Sequence, residues 1–366
     1  MEKYLSRVFP LLIYVTMLPI NFFISGNGFA WLLLLILSVL FIIRNRQLRI
    51  KSILIWLPWL IYILASLLLN FNLFSLHFTI QIIVPILVYI LVSSIKIYNF
   101  DSNLINITNW SIPIVLYINF LRFSTEIVGG SILIYTSIIA ILNLYLFAKY
   151  KKKRYLFFIL LFTSPSILFV ARTPLFIVLF AVFVFFNNKY SKRYLLKFLT
   201  VSIFTVLFFN LPIIKSKMLF NDGSSYTEAL QTGDIRSSGR ILLWGALLDD
   251  LEGRYYFGAG SRNSYFLLEK EFVTIREPHN DFIRIMYDYG IIGLTLYLLA
   301  LFRIYNEIKN RSELDELERT LALSIISIFL IFMLTDNAIN YTISCFGMVA
   351  YILGMLTSKN KKRLNP

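Results

Sequence analysis

Apolar runs of roughly 15 to 22 residues follow one another along almost the whole chain, and no other feature restricts its fold so tightly. In a helix, crossing ~30 Å of hydrocarbon takes about 20 residues. Within lipid every backbone N–H and C=O needs an internal partner, so runs of this length read as spanning helices. They predict twelve spans, at 8–25, 29–43, 53–69, 76–95, 110–123, 131–148, 155–171, 173–187, 195–213, 281–302, 320–337 and 340–357. Hydrophobic residues make up 58% of the chain and charged ones 15%, against about a quarter charged in an ordinary soluble domain, so water is not its main solvent. The expected fold class is all-α: a polytopic transmembrane helical bundle whose one large outer loop contains short helices.

The 35 Lys and Arg against 20 Asp and Glu leave a formal charge of +15. The cations sit in short clusters between apolar runs, at 44–51, 149–154, 189–197, 303–319 and 359–363. That is how cytoplasmic loops and contacts with anionic lipids look, so nucleic acid is not expected as a partner. Alternate loops carry the charge, which places both termini in the cytoplasm and the chain in a bacterial inner membrane. Lys3 and Arg7 precede an apolar stretch, but no small-residue cleavage site follows, so the N-terminus reads as a retained first helix. The single Cys345 excludes an intramolecular disulfide.

The expected organisation is residues 1–214 for the first nine spans, 215–280 for a periplasmic loop, 281–357 for the last three spans and 358–366 for a basic cytoplasmic tail. Between 215 and 284 ten acids face nine bases, unlike any other loop. Ile241, Leu242, Trp244, Leu247, Leu248 and Leu251 recur there at helical spacing after Ser238-Gly239, predicting a short helix capped near Ser238.

Ionisable groups within or beside spans cost ~2.5 to 3.5 kcal/mol each on insertion scales, so each is a functional candidate. Arg172 lies in a tight outer turn where cations are otherwise scarce, and either snorkels to lipid phosphate or faces an anionic ligand. Arg240 opens the loop helix, and its guanidinium forks naturally onto a phosphate, unless an acid of the loop pairs with it. His279 stands just before a span in Pro278-His279-Asn280, placed for proton transfer or for bracing the helix start. Glu277, Asp281, Arg284 and Asp288 follow at spacings that share one helical face, a polar stripe descending about two turns into the membrane. It reads either as a buried Asp-Arg-Asp pairing or as the lining of a cavity. Asp336-Asn337 is a weaker polar pair near the end of another span, and His77 reads as structural. Two histidines and one cysteine make no zinc site, and no phosphate-binding or dinucleotide fingerprint occurs. No cofactor or metal is expected.

The order of these features resembles the O-antigen polymerase and O-antigen ligase superfamily. The likeness rests on an arginine after the seventh span, then Ser238-Gly239-Arg240 with Trp244, Gly258-Ala259-Gly260, Pro278-His279-Asn280 and Asp288-Tyr289-Gly290-Ile291-Ile292-Gly293. It implies a metal-independent glycosyltransferase that takes an oligosaccharide from undecaprenyl diphosphate on the periplasmic side. On that likeness His279, Arg240 and Arg172 are catalytic, the arginines holding the diphosphate and His279 acting on the acceptor hydroxyl. Arg284, Trp244, Asp281 and Asp288 are expected to contact substrate. Membrane lipids and a chain-length regulator are the other expected partners. The compact, Phe- and Ile-rich chain favours a polymerase that joins repeat units. A ligase acting on lipid A core is the alternative, and a flippase or transporter explains Asp288 and Asp336 but not the outer arginines and histidine. Ala171 stands where the family usually has Ser, a departure beside Arg172.

Overall fold

A computed structural model describes residues 48–95, 97, 99–121, 130–169, 171–187, 240–272 and 277–358, with isolated positions at 7, 10–12, 33, 35, 36 and 210. The expected spans at 8–25, 29–43 and 195–213, the loop up to 239 with its cap at Ser238, and the basic tail lie outside the described residues.

The helices are α1 (Ile50–Leu69), α2 (Leu73–Ser94), α3 (Phe100–Leu121), α4 (Gly130–Tyr150), α5 (Lys153–Leu168), α6 (Arg172–Asn187), α7 (Arg240–Asp250), α8 (Asn263–Glu271), α9 (Asp281–Lys309), α10 (Glu316–Thr335) and, after a π-helical stretch at Thr342–Gly347, α11 (Met348–Leu356). Among the described residues there is no strand. Five helices, α1, α2, α4, α9 and α10, are long and apolar enough to cross a membrane. The described residues are thus all-helical with five candidate membrane spans among them. The fifth expected span, 110–123, belongs to a helix that starts earlier, where Asp101, Asn103, Asn106 and Asn109 make its first half polar.

Helix α4 is central, with 78% of its most apolar stretch buried against 39% for α1. It is apolar all round, as a helix surrounded by others must be. It packs on α5, α6 and α3, and its few polar groups bond across those contacts. Ser111 and Tyr135 hydroxyls lie 2.7 Å apart, and Asn143 Nδ2 donates to Thr108 Oγ1 at 3.1 Å. Such bonds fix helix register at a gain of about 0.6 kcal/mol each. Elsewhere in the bundle Trp59 of α1 packs edge-on against Tyr289 and Tyr297 of α9, and Trp56 lies tilted against Tyr297.

Helix α9 is broken at Gly290, whose φ of +68° and ψ of −178° are not helical. The break frees the Tyr287 and Asp288 carbonyls and the Ile291 and Ile292 amides, and each needs a new partner. The loop at 255–260 provides all four. Ala259 N donates to Tyr287 O at 2.7 Å and Gly260 N to Asp288 O at 2.9 Å, while Ile291 N donates to Tyr255 O at 2.8 Å and Ile292 N to Tyr256 O at 3.3 Å. Tyr62 OH on α1 donates to Tyr289 O at 2.8 Å. The stripe that the spacing predicted turns into protein: Asp281, Arg284 and Asp288 are fully buried.

Candidate functional site

Two short segments meet at the end of the bundle above the Gly290 break. One is Pro278-His279-Asn280, entering α9; the other is Asp336-Asn337, leaving α10. Asn280 caps α9, its Oδ1 accepting from Phe282 N at 3.0 Å and Ile283 N at 3.2 Å. His279 is left in the left-handed region with φ +52°, a costly conformation for a side chain of its size. Its backbone amide donates to Asn337 Oδ1 at 3.0 Å, which holds it there.

The imidazole Nδ1 lies 3.1 Å from Asp336 Oδ1. Desolvation pushes the Asp336 carboxyl upward, but the hydrogen bonds from His279 and the Asn337 amide, with the nearby charge of Arg240, outweigh it and hold the group below its ordinary range. Asp336 is therefore ionised near neutrality and can only accept. The proton accordingly belongs on Nδ1, with the Asn337 amide nitrogen at 3.2 Å a neighbour rather than a donor to it. In the neutral ring that leaves Nε2 as an acceptor, and the side chain is 36% exposed.

Helix α7 brings its own residues to the same place. Arg240 and Trp244, one turn apart, share a face. Arg240 Nη1 donates to Thr335 O at 2.7 Å, and Trp244 Nε1 donates to Pro278 O at 2.7 Å. Leu243, Leu247 and Leu251 flank them on the same side of the helix and are buried with Leu268 and Tyr287, with Trp244 packed against that cluster. Packing thus anchors α7, and two hydrogen bonds hold Arg240 and Trp244 to the 335–336 and 278–279 turns. Arg172 begins α6 at this same end of the bundle, since α6 runs beside α4 and Ser137 Oγ of α4 lies 3.4 Å from Pro174 O. A Cβ added to Gly130, the first residue of α4, would lie 3.7 Å from Asp336 Oδ2, so the start of α4 is at this end too.

The remaining expected contacts lie deeper and are engaged by protein. Arg284 is fully buried, paired with Asp281 and with Glu277 Oε2 at 3.1 Å, and it donates to Asn340 Oδ1 at 2.7 Å. Asp281 Oδ2 accepts from Ile339 N at 2.8 Å. Asp288 turns away to the start of α8, accepting from Ser264 N at 2.8 Å and Ser264 Oγ at 3.2 Å. The pairing is therefore Asp281-Arg284-Glu277, with Glu277 ahead of the helix and Asp288 apart. Glu277 Oε1 also takes Arg262 Nη2 at 2.7 Å, and both guanidiniums lie over the Phe78 ring. Arg284 ties the start of α9 to the segment after Asn337, and so fixes how His279 meets Asp336. Arg284→Met leaves Asp281 without its cation and Glu277 with Arg262 alone, and breaking a buried pair from one side costs about 3–5 kcal/mol. Thermal unfolding in detergent should show that loss, with part of it recovered in Arg284→Met/Asp281→Leu.

Among the described residues no three His, Cys, Asp or Glu side chains gather as metal ligands. Residues 155–298 match the O-antigen ligase family. The match supports the O-antigen ligase/polymerase superfamily, a ligase-like glycosyltransferase enzyme and a role in lipopolysaccharide biosynthesis. No curated protein matches the chain. The matched region holds Arg172, Arg240, Trp244, His279, Asp281, Arg284 and Asp288, and stops short of Asp336. Asp336 is the residue that sequence spacing undervalued: only the fold brings it to His279 across 57 positions.

Proposed function

We propose that this chain is an O-antigen polymerase, joining undecaprenyl-diphosphate-linked repeat units of a surface polysaccharide on the periplasmic face of the inner membrane. The observation that supports this most is the meeting of His279, Asp336 and Arg240 at one turn. On this reading the acceptor hydroxyl gives its proton to His279 Nε2 while its oxygen bonds to C1 of the donor sugar. The bond from C1 to the diphosphate oxygen breaks, and the diphosphate leaves with the electron pair. Asp336 holds the imidazole and offsets the charge it gains. Arg240, with one of its N–H groups engaged by Thr335, presents the others to the diphosphate, and Arg172 approaches from α6. The ring of Trp244, fixed through its N–H, offers a face to a sugar. Arg284, Asp281 and Asp288 act by holding these groups in place. No metal takes part, and a chain-length regulator is a further proposed partner.

The name of the matching family favours a second reading, transfer of finished polysaccharide to lipid A core. Lipopolysaccharide from a deletion strain separates the two. Cores bearing one repeat unit each mark a lost polymerase, and lipid-linked polymer without attachment marks a lost ligase. Units absent from the outer leaflet would mark a flippase and overturn both. Activity of purified protein should survive EDTA; loss in EDTA reversed by a divalent cation contradicts the metal-free step.

A further inference from the structure

At the end of the bundle away from His279, the start of α1, the last turns of α9 and the loop after it enclose a cavity of about 640 Å³. Four cations line it: Arg49, Lys51, Arg303 and Arg311. Two of them are engaged in closing the fold. Arg49 pairs with Glu307 and donates to Thr357 O, and Arg311 donates to Ser358 O at 2.8 Å and lies 3.4 Å from Glu313. They satisfy carbonyls left open at the end of α11. Lys51 and Arg303 are exposed and take part in no ion pair among the described residues. With the two acids matched by Arg49 and Arg311, these two leave the cavity an excess of positive charge.

Asn306, Asn310 and Ser312 add neutral polar groups, and Ile55, Leu299 and Phe302 form an apolar wall, in which Phe302 is 59% exposed. Because α1 and α9 are both candidate spans, this wall continues into the hydrocarbon layer. A soluble anion would use the cations and leave the apolar wall uncovered, whereas a lipid with a charged phosphate uses both. Basic pockets between membrane helices commonly hold such headgroups.

We infer that this cavity binds an anionic membrane phospholipid, its phosphate between Lys51 and Arg303 and an acyl chain along Leu299 and Phe302. The bound lipid bridges α1 and α9, the two helices that also meet where Trp59 packs on Tyr289 beside the Gly290 break. Anionic lipid then stabilises the pair that supports the candidate site, without contacting it.

The test is thermal unfolding of the full chain in detergent, titrated separately with phosphatidylglycerol, phosphatidylcholine and inorganic phosphate. Phosphatidylglycerol is expected to raise Tm, and Lys51→Ala/Arg303→Ala to need about tenfold more of it for the same rise. Lys51→Arg/Arg303→Lys should respond like the wild type, which shows that charge rather than folding was lost. Equal effects of phosphatidylglycerol and phosphatidylcholine, or an undiminished response in the alanine variant, would overturn the inference. A response to inorganic phosphate alone would overturn it too, as a soluble-anion site.

Discussion

His279→Ala should leave cells with single-unit polysaccharide in place of long chains, at unchanged protein level in the membrane. Removing a positioned general base lowers a rate by about 10²- to 10⁴-fold, and few polymers would then extend beyond one unit before export. The side chain is partly exposed and its backbone is held by Asn337, so the fold tolerates the change. Asp336→Asn tests the same step from behind. The amide matches the carboxylate in shape but cannot offset an imidazolium, and its nitrogen favours the tautomer with Nδ1 unprotonated. Expected is a fall in kcat of about 10²-fold or more with KM little changed, the pattern for an interaction made in the transition state. Gel ladders of lipopolysaccharide and turnover of purified protein read the two effects. Normal chain length in His279→Ala would remove the histidine from the chemistry.

Gly290→Ala is expected to be strongly destabilising although it adds a single methyl. A Cβ at position 290 would lie 2.2 Å from Tyr256 O and 2.4 Å from Tyr256 C. That carbonyl cannot retreat without losing the bond from Ile292 N, and the conformation itself is one only glycine adopts at low cost. The other side of the interlock is equally closed, since a Cβ at Gly258 would lie 2.5 Å from Gly290 N. Strain of about 1–3 kcal/mol, plus a lost hydrogen bond of about 1 kcal/mol, gives an expected loss of roughly 2–4 kcal/mol. Gly245→Ala is the matched control: nothing lies within 4 Å of its Cβ and it is helical, so a gain of up to about 1 kcal/mol is expected. Thermal unfolding in detergent compares them, and equal Tm values would mean that the break is not held as described.

Helix positions were largely legible because hydrophobic runs of spanning length have few alternatives. The expected 53–69, 76–95 and 131–148 lie within two or three residues of α1, α2 and α4. Polar helices were harder to place: α3 begins ten residues before its expected start, because Asn and Asp hide a helix from any hydropathy argument. The break at Gly290 was invisible to periodicity. Tyr289-Gly290-Ile291 reads as continuous helix until the 255–260 loop is brought against it, a contact between segments about 30 residues apart. Of the site, residue types and sides were legible and pairings were not. Asp288 shares a helical face with Arg284 by spacing, yet Ser264 claims it. Asp336 looked like a minor polar pair because its partner, His279, is distant in sequence.

The central claim is a division of labour, with Arg240 holding the lipid diphosphate and His279 taking the acceptor proton. Purified wild type, Arg240→Ala and His279→Ala, reconstituted in liposomes with labelled undecaprenyl-diphosphate-linked repeat units, test it by measuring donor binding and transfer side by side. Expected is transfer lost in both variants but donor binding weakened only in Arg240→Ala, by about tenfold or more for a charge-assisted phosphate contact. Donor binding unaltered in Arg240→Ala, or lost in His279→Ala, would contradict it.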